Sequence, residues 1–353
     1  MKKVMVAMSG GVDSSVAALL LKEAGFFVAG VTMSFANKSL DSESRKIEQK
    51  NIEDAKQIAK QLKIKHYIID FSKDLENKVI ENFLKGYLEG KTPNPCVHCN
   101  KVIKFGALLK KAKKLGFNFL ATGHYAKIEK NKDRFLLKKP KDKTKDQTYF
   151  IYSIKKENLA DILFPLADYK KEQIQDIAKE RQLSVFDKPQ SQDLCFILQK
   201  KYTDFIKVKK GREKCGLIVN TDGEALGKHK GISFYTIGQR KGLGISAKEP
   251  LYVLAIDAKN NKIVVGKKKR LKKKGLIAGN LNLFVDVFPK KTKAKIRYAH
   301  KEAVCSLENY GKKLKAIFLH KQEAITPGQA VVFYNKDIVL GGGIIEEALD
   351  EYN

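Results

Sequence analysis

Near the start of the chain, Ser9-Gly10-Gly11-Val12-Asp13-Ser14-Ser15 follows the apolar run Val4-Met5-Val6-Ala7-Met8 and leads into Val16-Ala17-Ala18-Leu19-Leu20-Leu21. That order reads as strand, tight turn and helix. Two adjacent glycines let the backbone turn sharply and bring its N–H groups close to an anion. The opening turn of the next helix adds unpaired N–H donors and a positive dipole end. Such a loop is built to hold phosphate. Ser9, Ser14 and Ser15 supply hydroxyl donors, and Asp13 is a hard oxygen ligand suited to a magnesium ion travelling with a nucleotide. No Gly-Lys-Ser/Thr follows, which excludes the phosphate loop of kinases and GTPases. The structural alternative is an ordinary serine-capped turn of a parallel sheet.

The SGGxDS pattern resembles the pyrophosphatase loop (PP-loop) of the N-type ATPases. That resemblance implies cleavage of ATP between the α and β phosphates and transfer of AMP to a substrate oxygen, which makes a poor leaving oxygen a good one.

From residue 1 to about 123, apolar β-rich runs alternate with helical ones. Strands are expected at 3–8, 26–33, 65–70 and 117–122, and helices at 14–24, 48–62, 73–89 and 100–115. Gly25 is suited to ending the first helix in the left-handed conformation. This alternation gives a doubly wound parallel α/β sheet with its ligand site at the carboxyl ends of the strands. A strand at 133–137 and helices at 155–163 and 169–182 follow. After about residue 198 helical periodicity fades, and short β-branched and aromatic runs separated by turn signals take over. The expected domains are 1–198, catalytic; 199–272, a small central β-rich domain; and 273–353, a C-terminal β-barrel. Barrel strands are expected at 276–287, 292–299, 302–308, 313–319, 329–334 and 337–341. Gly341-Gly342-Gly343 then reads as a bulge or close backbone approach.

At 353 residues, two or three domains are expected, and 43% hydrophobic content is enough to build their cores. A formal charge of +30 points to a polyanion such as nucleic acid, although a general excess of lysine gives the same number. Lys138 to Lys145 and Lys267 to Lys274 are the densest runs and read as solvated loops or linkers, the second near a domain boundary. Without an uncharged apolar run near 18 residues or a signal-peptide pattern after Met1-Lys2-Lys3, the expectation is a cytoplasmic protein with no membrane segment.

The five cysteines, at 96, 99, 195, 215 and 305, lack the spacing of a disulfide framework. In a reducing compartment, clustered cysteines argue for chemistry or metal. In Thr92-Pro93-Asn94-Pro95-Cys96-Val97-His98-Cys99-Asn100, Asn100 is a good cap for a helix beginning about there. That would place Cys99 at a helix N-terminus, with Lys101 and Lys104 favouring thiolate. Half of a structural zinc site is the alternative, but a second CxxC is missing. Cys195, in Ser191-Gln192-Asp193-Leu194-Cys195-Phe196-Ile197, taken alone reads as a small core residue, as do Cys215 and Cys305. His66, His98, His229, His300 and His320 show no metal-ligand spacing.

These two segments, with Ala121-Thr122-Gly123-His124-Tyr125-Ala126, Lys145-Asp146-Gln147-Thr148-Tyr149-Phe150 and Tyr235-Thr236-Ile237-Gly238-Gln239-Arg240, resemble in order the MnmA family of tRNA-specific 2-thiouridylases. The likeness spans the whole chain, barrel included. It implies ATP-dependent replacement of the C2 oxygen of the wobble uridine, U34, by sulfur. Carried over by position, Ala7, Met8, Ser9, Gly10, Gly11, Val12, Asp13, Ser14, Ser15, Met33 and Gly123 would contact ATP, with Mg2+ at Asp13. Cys99 matches the nucleophile and Cys195 the persulfide carrier. Asn94, Pro95 and Cys96 match the stretch meeting the target base. Lys145, Asp146, Gln147, His124, Arg297, Tyr298 and Gln329 match tRNA-contact positions.

The resemblance further implies that Cys195 persulfide delivers sulfur by direct attack, or as hydrosulfide once Cys99 cleaves the S–S bond and leaves a Cys99–Cys195 disulfide. A cysteine desulfurase or sulfur-carrier protein would stand upstream, and the protein would be a monomer. One departure matters: many members carry Asp where this chain has Cys96. Three thiols at 96, 99 and 195 also admit a [4Fe-4S] cluster as the sulfur-delivering group. Argininosuccinate, asparagine and GMP synthetases and tRNA lysidine synthetase share the loop but need no cysteine set. A basic RNA-binding module on a degenerate nucleotide fold is the non-enzymatic alternative, opposed by the intact Asp13 and serines.

Overall fold

The structure is a computed structural model that describes residues 1–35, 42–189, 194–197, 202–211 and 213–350. It divides into two compact units. The first comprises Met1–Val79, Cys96–Leu198 and Asp337–Val339, and the second Ile80–Pro95, Gln199–Lys336 and Leu340–Asn353.

Unit one carries strands β1 (Lys3–Ala7), β2 (Phe27–Ser34), β3 (Lys65–Asp70), β4 (Phe119–Thr122), β5 (Lys127–Asn131), β6 (Arg134–Lys138) and β7 (Ile162–Leu163). Five of them form a wholly parallel sheet in the order β3-β2-β1-β4-β7. Val4, Met5 and Val6 of the central strand have no solvent exposure. A strand covered on both faces needs a continuous apolar run, which is why β1 was legible. Helices α1 (Val12–Glu23) and α2 (Ser42–Gln61) follow β1 and β2. Val16, Ala17 and Ala18 of α1 pack with Ala55 and Ile58 of α2 and with Ile174 of the helix Lys171–Glu180 in one core. Gly25, at φ 81°, closes α1 as expected: its N–H donates to the Lys22 carbonyl and the Phe26 N–H to that of Leu21, a Schellman stop.

Several segments differ from expectation. The segment 155–163 is not one helix. A 3-10 turn over Lys156–Asp161 gives way to β7, whose buried Ile162 extends the sheet beside β4, and a two-residue strand is too short to show a period. A further strand, β5, forms a hairpin with β6. The expected helix at 73–89 contains a π-helical stretch, Leu75–Ile80, ahead of an α-helix, Glu81–Leu88. The helix expected from residue 100 begins at Pro95, with an α-turn Pro95–Cys99, a π-helical stretch Asn100–Leu108 and an α-turn Leu109–Lys114.

Unit two holds β8 (Gly216–Val219), β9 (Ala225–His229), β10 (Tyr252–Asp257) and β11 (Lys262–Gly266), a four-stranded sheet in the order β10-β11-β8-β9 over Ile218, Val253, Ile263 and Val265. A helix at Tyr202–Lys210 went unforeseen, because only Ile206 along it is buried and lysines crowd its last turn. Strands β12 (Lys272–Leu283), β13 (Thr292–Lys295), β14 (Ala303–Tyr310), β15 (Lys313–Glu323), β16 (Ala330–Asn335) and β17 (Ile338–Leu349) form a closed six-stranded barrel, in which β12 pairs with both β15 and β17. Gly341 has φ 134°, and a Cβ there would lie 2.4 Å from the Asn282 carbonyl oxygen, which is the close backbone approach expected.

The basic run at 267–274 is not a linker. It forms a 3-10 turn, Lys268–Leu271, and then opens β12, while Lys267, Lys268 and Lys273 pair with Glu249, Glu323 and Asp350. Cys305 is buried, but Cys215 is exposed, because its position just ahead of β8 leaves it outside the sheet core. Among the described residues, no helix is long and apolar enough to cross a membrane.

Candidate functional site

The glycine loop joins β1 to α1 at the carboxyl end of the central strand. Gly11 is the N-cap of α1 and no side chain caps it, so the first N–H groups of a 12-residue helix are left for an anion. Gly10 sits at φ 71°, a conformation that L side chains rarely adopt. The Ser14 and Ser15 hydroxyls donate to the Gly11 carbonyl at 3.0 and 2.9 Å, and the Ser9 N–H donates to Ser14 Oγ at 3.2 Å, which fixes the turn. A Cβ on Gly123, just past β4, would lie 2.8 Å from Asp13 C and Ser14 N, so only glycine lets β4 end against the loop. Met33 lies half-buried near the end of β2.

Several contributors were not evident from sequence. Asp13 Oδ1 accepts from Lys171 Nζ at 2.6 Å and from Tyr125 Oη at 2.9 Å. Burial and the Asp13 charge push the Tyr125 phenol upward, so it stays protonated and donates. Lys188 Nζ donates to the Gly10 carbonyl at 3.0 Å and to Asn51 Oδ1 at 2.8 Å, and it pairs with Asp54. These partners lie far along the chain, and nothing in their local spacing marks one lysine among many. A cavity of about 630 Å3 opens beside the loop, lined by Val12, Asp13, Asp142, Lys145, Lys171 and Lys188 among others. A glycine cradle, an uncapped helix end and lysines around this cavity suit a triphosphate.

The thiols lie in the same unit. Cys96 and Cys99 are three residues apart on the turn Pro95–Cys99, so their side chains share one face. Cys195, at an exposed turn, lies close enough to both for their charges to interact. Ser191, Gln192 and Asp193 lie outside the described residues.

The expected thiolate at Cys99 is overturned. Pro95 opens the helix four residues earlier, so Cys99 ends the first turn with helical backbone, φ −58° and ψ −45°, instead of leading it. Asn100 is no cap: its Nδ2 donates to the Phe150 carbonyl at 2.9 Å. Burial, only partly countered by Lys104 and reinforced by Cys96, pushes the Cys99 thiol up to about 11. Burial raises Cys96 as well. Cys195 is raised by burial of its sulfur and then by Cys99 and Cys96, only partly countered by Lys104. At neutral pH the cluster rests as thiols. At pH 7 about one Cys99 in ten thousand is ionised, so its alkylation by iodoacetamide should accelerate about tenfold per pH unit between 7 and 10, as followed by peptide mass spectrometry. A plateau below pH 9 contradicts this environment.

His124 follows β4 as expected. Its Nδ1 lies 2.7 Å from Thr122 Oγ1 and its ring packs against Phe105 and Phe164; burial holds the imidazole well below its ordinary value and therefore neutral. Lys145, Asp146 and Gln147 also belong to this unit. Asn94, Pro95, Arg297, Tyr298 and Gln329 belong to the second. There Gln329 Nε2 donates to the Thr92 carbonyl at 2.7 Å, which ties the segment holding Asn94 to the barrel. Arg297 donates to Thr326 Oγ1 at 2.6 Å, and Lys295 stands 5.2 Å over the Tyr298 ring.

A doubly wound parallel sheet whose first β-α turn is a glycine-rich phosphate cradle defines a PP-loop ATPase fold with an appended central sheet and barrel. Three family profiles match consecutive stretches: the tRNA methyl transferase HUP domain over residues 2–199, the tRNA methyl transferase PRC-barrel domain over 203–267, and the aminomethyltransferase beta-barrel domain over 273–345. The chain is 48% identical over 352 residues to tRNA-specific 2-thiouridylase MnmA 1 of Syntrophus aciditrophicus, covering 100% of this chain and 95% of that one. It is 46% identical over 357 residues to the MnmA of Clostridioides difficile, covering 99% of each. The chain belongs to the MnmA family of tRNA-specific 2-thiouridylases. Among solved structures, the U34-tRNA thiolase NcsA of Methanococcus maripaludis with its [4Fe-4S] cluster matches at 19% identity and TM-score 0.37, over 59% of this chain and 65% of that one.

Proposed function

We propose that this chain is an ATP-dependent tRNA sulfurtransferase that converts the C2 carbonyl of the wobble uridine, U34, to a thiocarbonyl. The observation that carries this reading is that Cys96, Cys99 and Cys195 lie within electrostatic reach of one another in the unit that also holds the phosphate loop. Two of the matching profiles are described by the words methyl transferase. The cysteine set and the phosphate cradle instead support the thiouridylase names of the full-length relatives.

In this reading the loop, with Ala7 to Ser15, Met33 and Gly123, binds ATP. Asp13, held by Lys171 and Tyr125, is the carboxylate placed for the nucleotide's Mg2+. The uridine O2 attacks the α-phosphorus, and pyrophosphate leaves into the loop. A persulfide on Cys195 then supplies sulfur. In the hydrosulfide route, Cys99 sulfur bonds to Cys195 sulfur and HS− departs; HS− adds to C2, AMP leaves with the former O2, and cellular thiols reduce the Cys99–Cys195 disulfide. Asn94 to Cys96, His124, Lys145 to Gln147, Arg297, Tyr298 and Gln329 are the proposed tRNA contacts, and a cysteine desulfurase or carrier protein is the proposed donor. Splaying a base out of an anticodon loop is affordable because the loop is single-stranded.

In this reading sulfur travels through a persulfide relay on Cys195 and Cys99 and not through a [4Fe-4S] cluster. Protein purified without oxygen should be colourless and iron-free while still forming 2-thiouridine from tRNA, ATP and a sulfur source. Nucleoside mass spectrometry of that tRNA is the test, and unmodified uridine in every tRNA offered defeats the proposal. Cys96→Ala should retain thiolation within about tenfold if Cys99 and Cys195 carry the relay.

A further inference from the structure

Asp13 of the phosphate loop is held from two sides, and both holders are fastened to one distant segment. Tyr125, 1% exposed, donates its hydroxyl to Asp13 Oδ1, and Lys171 donates its ammonium to the same oxygen. The Lys171 and Asp13 side chains are only 15% and 20% exposed, so this pair is better shielded than a surface bridge.

The segment 142–148 grips each holder. Gln147 clasps the Tyr125 backbone: the Tyr125 N–H donates to Gln147 Oε1 at 2.9 Å, and the Gln147 N–H donates to the Tyr125 carbonyl at 3.0 Å. Asp142 Oδ2 accepts the Lys171 N–H at 3.0 Å, at the head of the helix Lys171–Glu180, while Oδ1 accepts from Thr144 N and Oγ1 at 3.0 and 2.6 Å. Buried Asp146 accepts from Thr148 N and Oγ1 at 2.9 and 2.6 Å, which stiffens the segment between the two grips. Lys145 lies between them and, with Asp142, Lys171 and Asp13, lines the cavity beside the loop.

We propose that Tyr125 and Lys171 are positioning residues that transmit occupancy of segment 142–148 by an RNA phosphate backbone to Asp13, so that RNA and nucleotide bind cooperatively. The switching element is the Lys171 ammonium, which bonds either Asp13 or a phosphate oxygen in the adjoining cavity. Moving segment 142–148 moves the head of its helix and the Tyr125 backbone together. The inference rests on the proposed tRNA contacts at Lys145 to Gln147. Linkage requires the effect to be reciprocal: whatever factor RNA adds to nucleotide affinity, nucleotide adds to RNA affinity.

The test measures the Kd of a non-hydrolysable ATP analogue with and without saturating tRNA, and the Kd of tRNA with and without the analogue. It uses the full chain and its Tyr125→Phe and Lys171→Met variants. In the unaltered protein the two factors should agree and fall between about 5 and 100. Tyr125→Phe keeps the buried ring and should bring the factor below about 2, with the melting temperature confirming the fold. Lys171→Met should do the same if the phenylalanine variant is unstable. A factor of one in the unaltered protein, or an undiminished factor in both folded variants, overturns the coupling. If that same protein forms 2-thiouridine, the failure belongs to the coupling alone. Absence of both tRNA binding and 2-thiouridine overturns the proposed function and the coupling with it.

Discussion

Cys195→Ser protein supplied with ATP, tRNA and a persulfide donor should form no 2-thiouridine, a loss of at least about a thousandfold, while still releasing pyrophosphate when tRNA is present. Serine keeps the size and exposure of the side chain but cannot carry a sulfane sulfur, so only the delivery step is removed. In the proposed mechanism adenylation depends on the loop and on Asp13, which belong to other elements. Nucleoside mass spectrometry and a pyrophosphate assay on the same samples separate the two steps. Full thiolation by the serine variant removes Cys195 from the chemistry; loss of pyrophosphate release as well means that the substitution disturbed more than delivery. Cys99→Ala divides the two delivery routes. If hydrosulfide is released, the variant should lose thiolation and the unaltered protein should show a Cys99–Cys195 disulfide after one turnover. Direct attack by the persulfide instead joins its outer sulfur to C2 while the bond to Cys195 remains, so Cys99→Ala should release AMP and stall as a Cys195–tRNA disulfide adduct that an added thiol cleaves to 2-thiouridine.

What the sequence disclosed follows from where the stabilising partner of each feature sits. The glycine loop, the Gly25 stop and the central strands were readable because their causes are local: a backbone conformation, or an apolar run required by burial on both faces. The two-residue β7 and the lysine-rich helix Tyr202–Lys210 were not, since one is shorter than any period and the other buries a single side chain. The site shows the same division. Residue types marked the phosphate cradle and the thiols, but the grips on Asp13 come from residues 112 and 158 positions away, a separation that no local pattern encodes. The Cys99 environment misled for a related reason. Asn100 is a good cap by type, yet its amide is used by Phe150, fifty residues on, and Pro95 had already opened the helix.

The two loop glycines look interchangeable in sequence, and the structure separates them. Gly11 has extended backbone, φ −109° and ψ 164°, and the nearest atom to an added Cβ is Ser9 Oγ at 3.6 Å, so Gly11→Ala should cost less than about 1 kcal/mol of stability. Gly10 has φ 71°, and its Cβ would lie 2.3 Å from the Asn51 carbonyl oxygen and 3.0 Å from the carbonyl carbon. The obstruction is the backbone of α2, which no rotamer change relieves. Lys188 also bonds the Gly10 carbonyl and the Asn51 side chain together, so the loop and the helix cannot separate without breaking that link. Left-handed strain of about 1–2 kcal/mol adds to the clash, and Gly10→Ala should lose about 2–4 kcal/mol of stability. ATP affinity should fall more than about tenfold, because relief of the clash turns the loop N–H groups away from the phosphates. Thermal melting and ATP binding of the two variants side by side decide the matter. Equal behaviour of Gly10→Ala and Gly11→Ala shows that close packing against α2 does not shape the cradle.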